Sequence, residues 1–236
     1  MVKIAIAGIK GGTGKTTTAA ALAQAAAKDG LKVLAVDLDP QCNLTTRLGA
    51  EPGEGSYQAM TGEPAPKIQQ TEQGIDVMAS TADLAALRIA PGAAQTLEKA
   101  LAALQYDLIL IDTPPTAGLL VYSALQASDT VLVPLESDLD SLQGLYQIVS
   151  IAAELKVPVL GAVLTRYNSR TKINQHVAAL IQDACTELSI AYYGGIRQGV
   201  AVRESQALQK SLFDYAARSS PAQDYWNLYL QIMGRE

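Results

Sequence analysis

The sequence predicts an α/β protein built on a mainly parallel, twisted sheet with helices on both faces. Three observations predict it. Short continuous apolar runs, such as residues 2–7, 32–36 and 108–111, recur along the chain. Longer helical segments separate them. The hydrophobic content is 49% and mostly aliphatic, with Phe213 and Trp226 the sole residues of their kinds. Continuous apolar strands are buried on both faces, as in parallel sheets whose crossovers are helices.

The elements follow in order. Residues 2–7 read as a strand and 15–28 as the helix after it. Residues 32–36 form a second strand, followed by a polar loop, and the stretch 49–66, rich in Gly, Pro and Glu, reads as a surface insertion. A short strand at 75–79 and a helix at 94–104 lead to a buried strand at 108–111 and a helix at 119–126. Further strands fall at 130–134, 157–164 and 190–193, and further helices at 139–155, 173–187, 200–209 and 221–233. The sequence shows no internal repeat or low-complexity segment. A length of 236 residues suits one domain, 1–236. Ligands in such folds bind beyond the carboxyl ends of the strands.

Composition narrows the function. The net charge of −5 argues against a protein coated in base for gripping nucleic acid. The charge is uneven, however: residues 1–165 carry 10 Lys and Arg against 17 Asp and Glu, and residues 166–236 carry 8 against 6. The mildly basic last third is a candidate anion-binding face. No run approaches the ~18–20 apolar residues of a membrane span. Residues 2–7 are too short for a signal core, so a cytoplasmic location is expected. Two cysteines, Cys42 and Cys185, cannot make a disulfide framework and read as fillers of small buried sites.

The first strand runs into Lys10-Gly11-Gly12-Thr13-Gly14-Lys15-Thr16-Thr17 and an Ala-rich helix. Closely approaching backbone N–H groups can cradle phosphate where Gly11, Gly12 and Gly14 leave room. Lys15 supplies a cation at the β- and γ-phosphates, Thr16 a hydroxyl for Mg²⁺, and the helix N-terminus its dipole. The strict pattern has glycine where this chain has Ile9, so the loop is a variant, with Lys10 as its extra feature. Two more strands end in acids, at Asp37-Leu38-Asp39-Pro40 and Asp112-Thr113-Pro114-Pro115. A carboxylate at such a strand tip can hold Mg²⁺ or orient an attacking water. Singly, each Asp could instead cap the next helix. Together with the loop they indicate a P-loop NTPase.

These residues resemble the ParA/MinD family of deviant Walker A ATPases, most closely its small ParA-type members. Lys10–Thr17 looks like the family's deviant Walker A motif. Residues 37–45 resemble its second motif, where glycine is usual at the position of Cys42, and 112–115 its Walker B. The likeness continues at 164–171 and 202–205 and covers nearly the whole chain.

The resemblance implies a homodimer that closes around two ATP molecules, with Mg²⁺ on Thr16 and held through water by Asp37 and Asp112. It implies that Lys10 reaches the partner's nucleotide, that Asp39 serves hydrolysis and that Asn168 lies near the base, although Asn168 could equally be a turn residue. It further implies non-specific DNA binding in the ATP state, release after hydrolysis stimulated by a ParB-type centromere-binding protein, and nucleoid association. Arg197, Arg203, Lys210 and Arg218 are the candidate DNA contacts, with Arg218 first.

Other branches fit less well. The chain starts at the first strand, so the helix-turn-helix of larger plasmid members is not expected. A MinD-like membrane helix needs a basic face. Trp226, Tyr229, Leu230 and Met233 instead form an apolar stripe, with Arg235 the single base in the last 18 residues, and the stripe reads as core. No stable membrane association is expected. Nitrogenase-like reductases need a bridging cysteine after Asp112. Tetrapyrrole amidases carry extra substrate domains, for which the chain was expected to have no room. A positioning ATPase for another cargo stays open.

Overall fold

The computed structural model describes residues 1–87 and 93–235. Among these residues the strands are β1 (Val2–Ile6), β2 (Val33–Asp37), β3 (Gln69–Gln70), β4 (Asp76–Met78), β5 (Leu108–Asp112), β6 (Thr130–Leu135), β7 (Val159–Tyr167) and β8 (Ala191–Arg197). They form one sheet in the order β3-β4-β2-β5-β1-β6-β7-β8. The β3–β4 pair is antiparallel, and every other pair is parallel. The predicted α/β fold is therefore the observed one.

The α-helices are α1 (Lys15–Lys28), α2 (Asn43–Arg47), α3 (Gly55–Thr61), α4 (Ala93–Ala102), α5 (Leu119–Gln126), α6 (Leu139–Leu155), α7 (Lys172–Glu187), α8 (Val200–Ala207), α9 (Leu212–Tyr215) and α10 (Ser220–Ile232). They cover both faces of the sheet. Side chains alternate across a strand, so Ile4 and Ile6 enter one core while Ala5 and Ala7 enter the other. On β2, Val33 and Ala35 join the first core, and Leu34 and Val36 the second. The first core is closed by α1, whose Ala19, Ala20, Ala23 and Ala26 are buried, and by α10. Tyr229 of the C-terminal stripe is buried there, with Trp226, Leu230 and Met233 packed alongside. The stripe is core, as the missing basic face implied.

Two expectations change. The polar loop after β2 contains α2, which returns Arg47 toward α1. The stretch 49–66 is not a plain surface insertion, because α3 lies within it and buries Ser56, Ala59 and Met60. Glycine and proline at its ends masked a helix held by tertiary packing rather than by propensity. Strands β7 and β8 also run past the expected 164 and 193, where Tyr167 pairs with Arg197.

At Gly55 a Cβ would lie 2.3 Å from the carbonyl oxygen of Lys67 and 3.3 Å from the amide nitrogen of Ala79. Two backbone segments cannot yield as a flexible side chain can. Gly55→Ala is expected to cost about 1–3 kcal/mol through overpacking. Thermal unfolding should then show a Tm lower by roughly 2–4 °C per kcal/mol. An unchanged Tm would show that α3 is not anchored in this way.

Candidate nucleotide site

Strand β1 lies between β5 and β6, so the chain leaves in opposite directions from it. At that switch point a crevice opens beyond the strand ends. The phosphate loop fills it and leads into α1 at Lys15. Gly14 adopts a left-handed φ of 83°, and a Cβ there would come within 3.0 Å of the Thr165 side chain. Only glycine suits both demands. Thr165 Oγ1 in turn donates to the Thr13 carbonyl at 2.8 Å, strapping the loop to β7.

Lys15 is 6% exposed, and its Nζ donates to the Lys10 carbonyl at 3.0 Å. Burial lowers its pKa, while Asp112 and Asp39 act in the opposite sense. Residues Gly11–Thr17, with Asp39, Gln41, Asn43, Arg47, Pro115 and Arg166, line a cleft of about 280 Å³. Gly11–Thr17 of the predicted loop therefore meet in one place, while Lys10 is not part of the lining.

The three acids have distinct environments. Asp37 and Asp112 are register partners at the ends of β2 and β5, and both are fully buried. Each carboxyl is pushed above the usual carboxylate range, chiefly by burial; hydrogen bonds to Thr45 and Asp39 oppose this at Asp37, and the charge of Asp37 adds to it at Asp112. Asp37 Oδ2 accepts from Thr45 N and Oγ1 at 2.8 and 2.7 Å, and Oδ1 accepts from Asp39 N at 3.1 Å. These bonds make Asp37 the fastening of the 38–45 loop, and neither Asp37 nor Asp112 lines the cleft itself.

Asp112 differs: neither of its buried oxygens has a hydrogen-bond partner. An orphaned buried carboxylate beside Thr16 and Lys15 suits a divalent cation, so Asp112 and Thr16 fit Mg²⁺. Asp39 lines the cleft, and its Oδ1 accepts from Gln41 N at 3.0 Å. It thus caps its own turn and also faces the cleft that the phosphate loop lines.

A second cavity, of about 640 Å³, adjoins Gly14 and Thr17. Its wall includes Thr165, Arg166, residues 196–200, Arg203 and Tyr225. Asn168 does not line it. That side chain accepts from Arg170 N at 3.1 Å and forms the turn before α7, the alternative open from the sequence. The loop 196–200 carries no motif that would have marked it.

Arg197 and Arg203, candidates for DNA, belong to this wall, and Arg197 is clamped by Asp224 at 2.7 Å. Arg197 thus already has a carboxylate partner, and Arg203 has no ion pair among the described residues. Lys210 and Arg218 are exposed and, among the described residues, form no ion pair. Lys10 donates to Asp138 of its own chain at 2.7 Å and lies 3.7 Å from Asp140. Those two carboxylates, with Glu136, raise its pKa. Asp138, the side-chain cap of α6, had no sequence signal as a lysine partner.

A glycine-rich loop on a helix N-terminus, a buried lysine and an orphaned acid define a P-loop nucleotide hydrolase. Comparison gives the family. A family model described as an AAA domain (AAA_31) matches residues 1–159. The chromosome-partitioning ATPase Soj of Thermus thermophilus is 33% identical over 240 residues, 99% of this chain and 96% of that one. The chromosome partitioning protein ParA of Caulobacter vibrioides is 33% identical over 255 residues, 99% of this chain and 94% of that one. The chain belongs to the ParA/MinD family of ATPases, as its motifs implied.

A solved structure of cobyrinic acid a,c-diamide synthase from Mycobacterium smegmatis, with a bound ATP analogue and magnesium, superposes with a TM-score of 0.80. It is 28% identical, and the match covers 100% of this chain and 97% of that one. Chain length therefore does not separate tetrapyrrole amidation from partitioning, contrary to the sequence argument.

The orphaned Asp112 yields a prediction. Its raised pKa means that the empty fold loses stability as pH rises from the usual carboxylate range through about 8. Asp112→Asn should hold or raise the ligand-free Tm, by about 2–4 °C if 1 kcal/mol is recovered. The extra stabilisation by ADP on adding Mg²⁺ should vanish. Thermal shift with and without Mg²⁺ checks both, and a retained Mg²⁺-dependent gain would count against Asp112 as a ligand.

Proposed function

We propose that the protein is a DNA-partitioning ATPase: it dimerises on ATP, binds DNA non-specifically, and is released when a ParB-type partner stimulates hydrolysis. The observation that carries this reading is likeness along the full length to two partitioning ATPases, joined to an intact phosphate site. In the proposed cycle the phosphates lie on Gly11–Thr17, with Lys15 against the terminal ones. Mg²⁺, held by Thr16 and Asp112, would neutralise phosphate charge. Asp39 orients the water, and Lys10 leaves Asp138 for the partner's nucleotide.

A dimer is supported by the rim of the site. Leu139, Ile173 and Val200 are each 62% exposed. They lie at the starts of α6, α7 and α8, beyond the carboxyl ends of β6, β7 and β8. DNA binding is supported by exposed Lys210 and Arg218, free to meet phosphate. No helix among the described residues is long and apolar enough to cross a membrane, and the C-terminal stripe is already packed on the core.

Lys10→Ala should still bind ATP but lose the ATP-dependent dimer, with turnover down ~10³-fold or more, the range of a lost trans cation. Light scattering with a non-hydrolysable analogue tests assembly. A dimer formed equally by the variant would reject the trans role.

Asp39→Ala should bind ATP and dimerise, and hydrolyse ~10²- to 10⁴-fold more slowly, as for loss of a group that handles the attacking water's proton. On DNA it should accumulate and resist release by the partner. Turnover, Tm and DNA retention are measured together. Wild-type turnover at a lowered Tm would reduce Asp39 to a turn cap. Retention that is absent in wild type, with vesicle binding in its place, would favour a membrane-positioning ATPase.

A further inference from the structure

Arg47 ends α2 where the two cavities meet. With Gly14, Thr17 and Arg166 it lines both the phosphate cleft and the 640 Å³ cavity. One of its Nη atoms donates to Thr17 Oγ1. The side chain is partly buried, yet among the described residues it forms no ion pair. The neighbouring guanidiniums are matched: Arg166 meets Glu136 at 2.8 Å and Arg197 meets Asp224 at 2.7 Å. Burial lowers the pKa of Arg47, the charges of Asp112 and Asp37 oppose this, and the charge of Arg166 adds to it. A half-buried guanidinium with no carboxylate in contact is costly to keep. It has five N–H donors in a planar fork suited to phosphate oxygens.

A nucleotide with its phosphates on the loop and its base in the larger cavity must pass its α-phosphate through this junction. Lys15 and Thr16 serve the terminal phosphates and the cation. Thr17, one residue further into α1, carries the hydroxyl on which Arg47 rests. We propose that Arg47 binds the α-phosphate of the nucleotide held by its own chain, a cis cation distinct from Lys10 and Lys15. The inference rests on the nucleotide reading above. It gives α2, a five-residue helix, the task of carrying that cation back to α1.

The test is isothermal titration of wild type, Arg47→Ala and Arg47→Lys with ADP, a non-hydrolysable ATP analogue and GDP, all with Mg²⁺. Arg47→Ala should weaken ADP and the ATP analogue equally, by about 10- to 100-fold, the range of a hydrogen bond to a charged group. Arg47→Lys, with charge but no fork, should fall between. The ratio of ADP to GDP affinity should not move, because the α-phosphate is common to both.

The ligand-free Tm of Arg47→Ala should not drop, since a half-buried cation with no carboxylate in contact is removed. If Arg47→Ala does not fold, Arg47→Lys and Arg47→Gln decide by the same comparisons. Loss for the ATP analogue alone would put Arg47 on the γ-phosphate, and a changed ADP to GDP ratio would put it on the base. Unchanged affinities with a lowered Tm would make it structural. Each of these overturns the proposal. Failure of wild type to bind ADP would instead overturn the nucleotide reading itself.

Discussion

The site depends on placing two aspartates side by side in the sheet's interior. Asp37 and Asp112 are register neighbours with no solvent exposure, so neither can be charged without help. Like charges at close range in a weakly screened interior repel strongly. The fold answers differently for each. Asp37 is given three protein donors, two from Thr45 and one from the backbone of Asp39. Asp112 has no donor in full hydrogen-bond geometry among the described residues, while the Thr16 hydroxyl and Lys15 nearby favour its charged form. One acid becomes part of the frame, and the oxygens of the other stay unpaired.

Sheet order makes this arrangement possible. Placing β5 between β2 and β1 brings both acidic strand ends beside the phosphate loop, although the three segments are far apart in sequence. Strand β7, two places to the other side, supplies Thr165, which pins Thr13 and forces glycine at position 14. Phosphate recognition is thus built from strand tips and backbone, the parts of an α/β protein that move least. The larger cavity is built on the longer ends of β7 and β8, where the register is irregular.

Much of this was legible in the sequence. Helices α1, α5 and α6 begin and end where the pattern placed them, because their apolar stripes and flanking turns agree. The phosphate loop was legible because glycine, lysine and threonine at that spacing after a strand have few other uses. Helix α3 was hidden, because its stability comes from Met60, Ala59 and Ser56 packing on distant segments. The donors on Asp37 were hidden for a similar reason, since nothing in the pattern shows that Thr45 turns back onto it. Arg47, Asp138 and the 196–200 loop are single positions whose meaning comes only from what the fold sets beside them. Asn168, matched by family likeness, sits in a local turn where its Oδ1 accepts from Arg170 N. Cys42, where the family usually has glycine, has a left-handed φ of 55°, which explains the usual residue but not this one.

The loop that carries Asp39 is tied down on both sides. Its amide donates to Asp37 at 3.1 Å, and its carbonyl accepts from Ser80 Oγ at 2.7 Å and from Cys42 N at 2.9 Å. Ser80 N also donates to Thr45 Oγ1 at 3.0 Å, so the end of β4 anchors the far end of the loop too. An acid held this firmly has little left to gain in order when nucleotide arrives. Timing of hydrolysis would then lie with what reaches the cleft from outside, and the loop would act as a fixed anvil rather than a trigger.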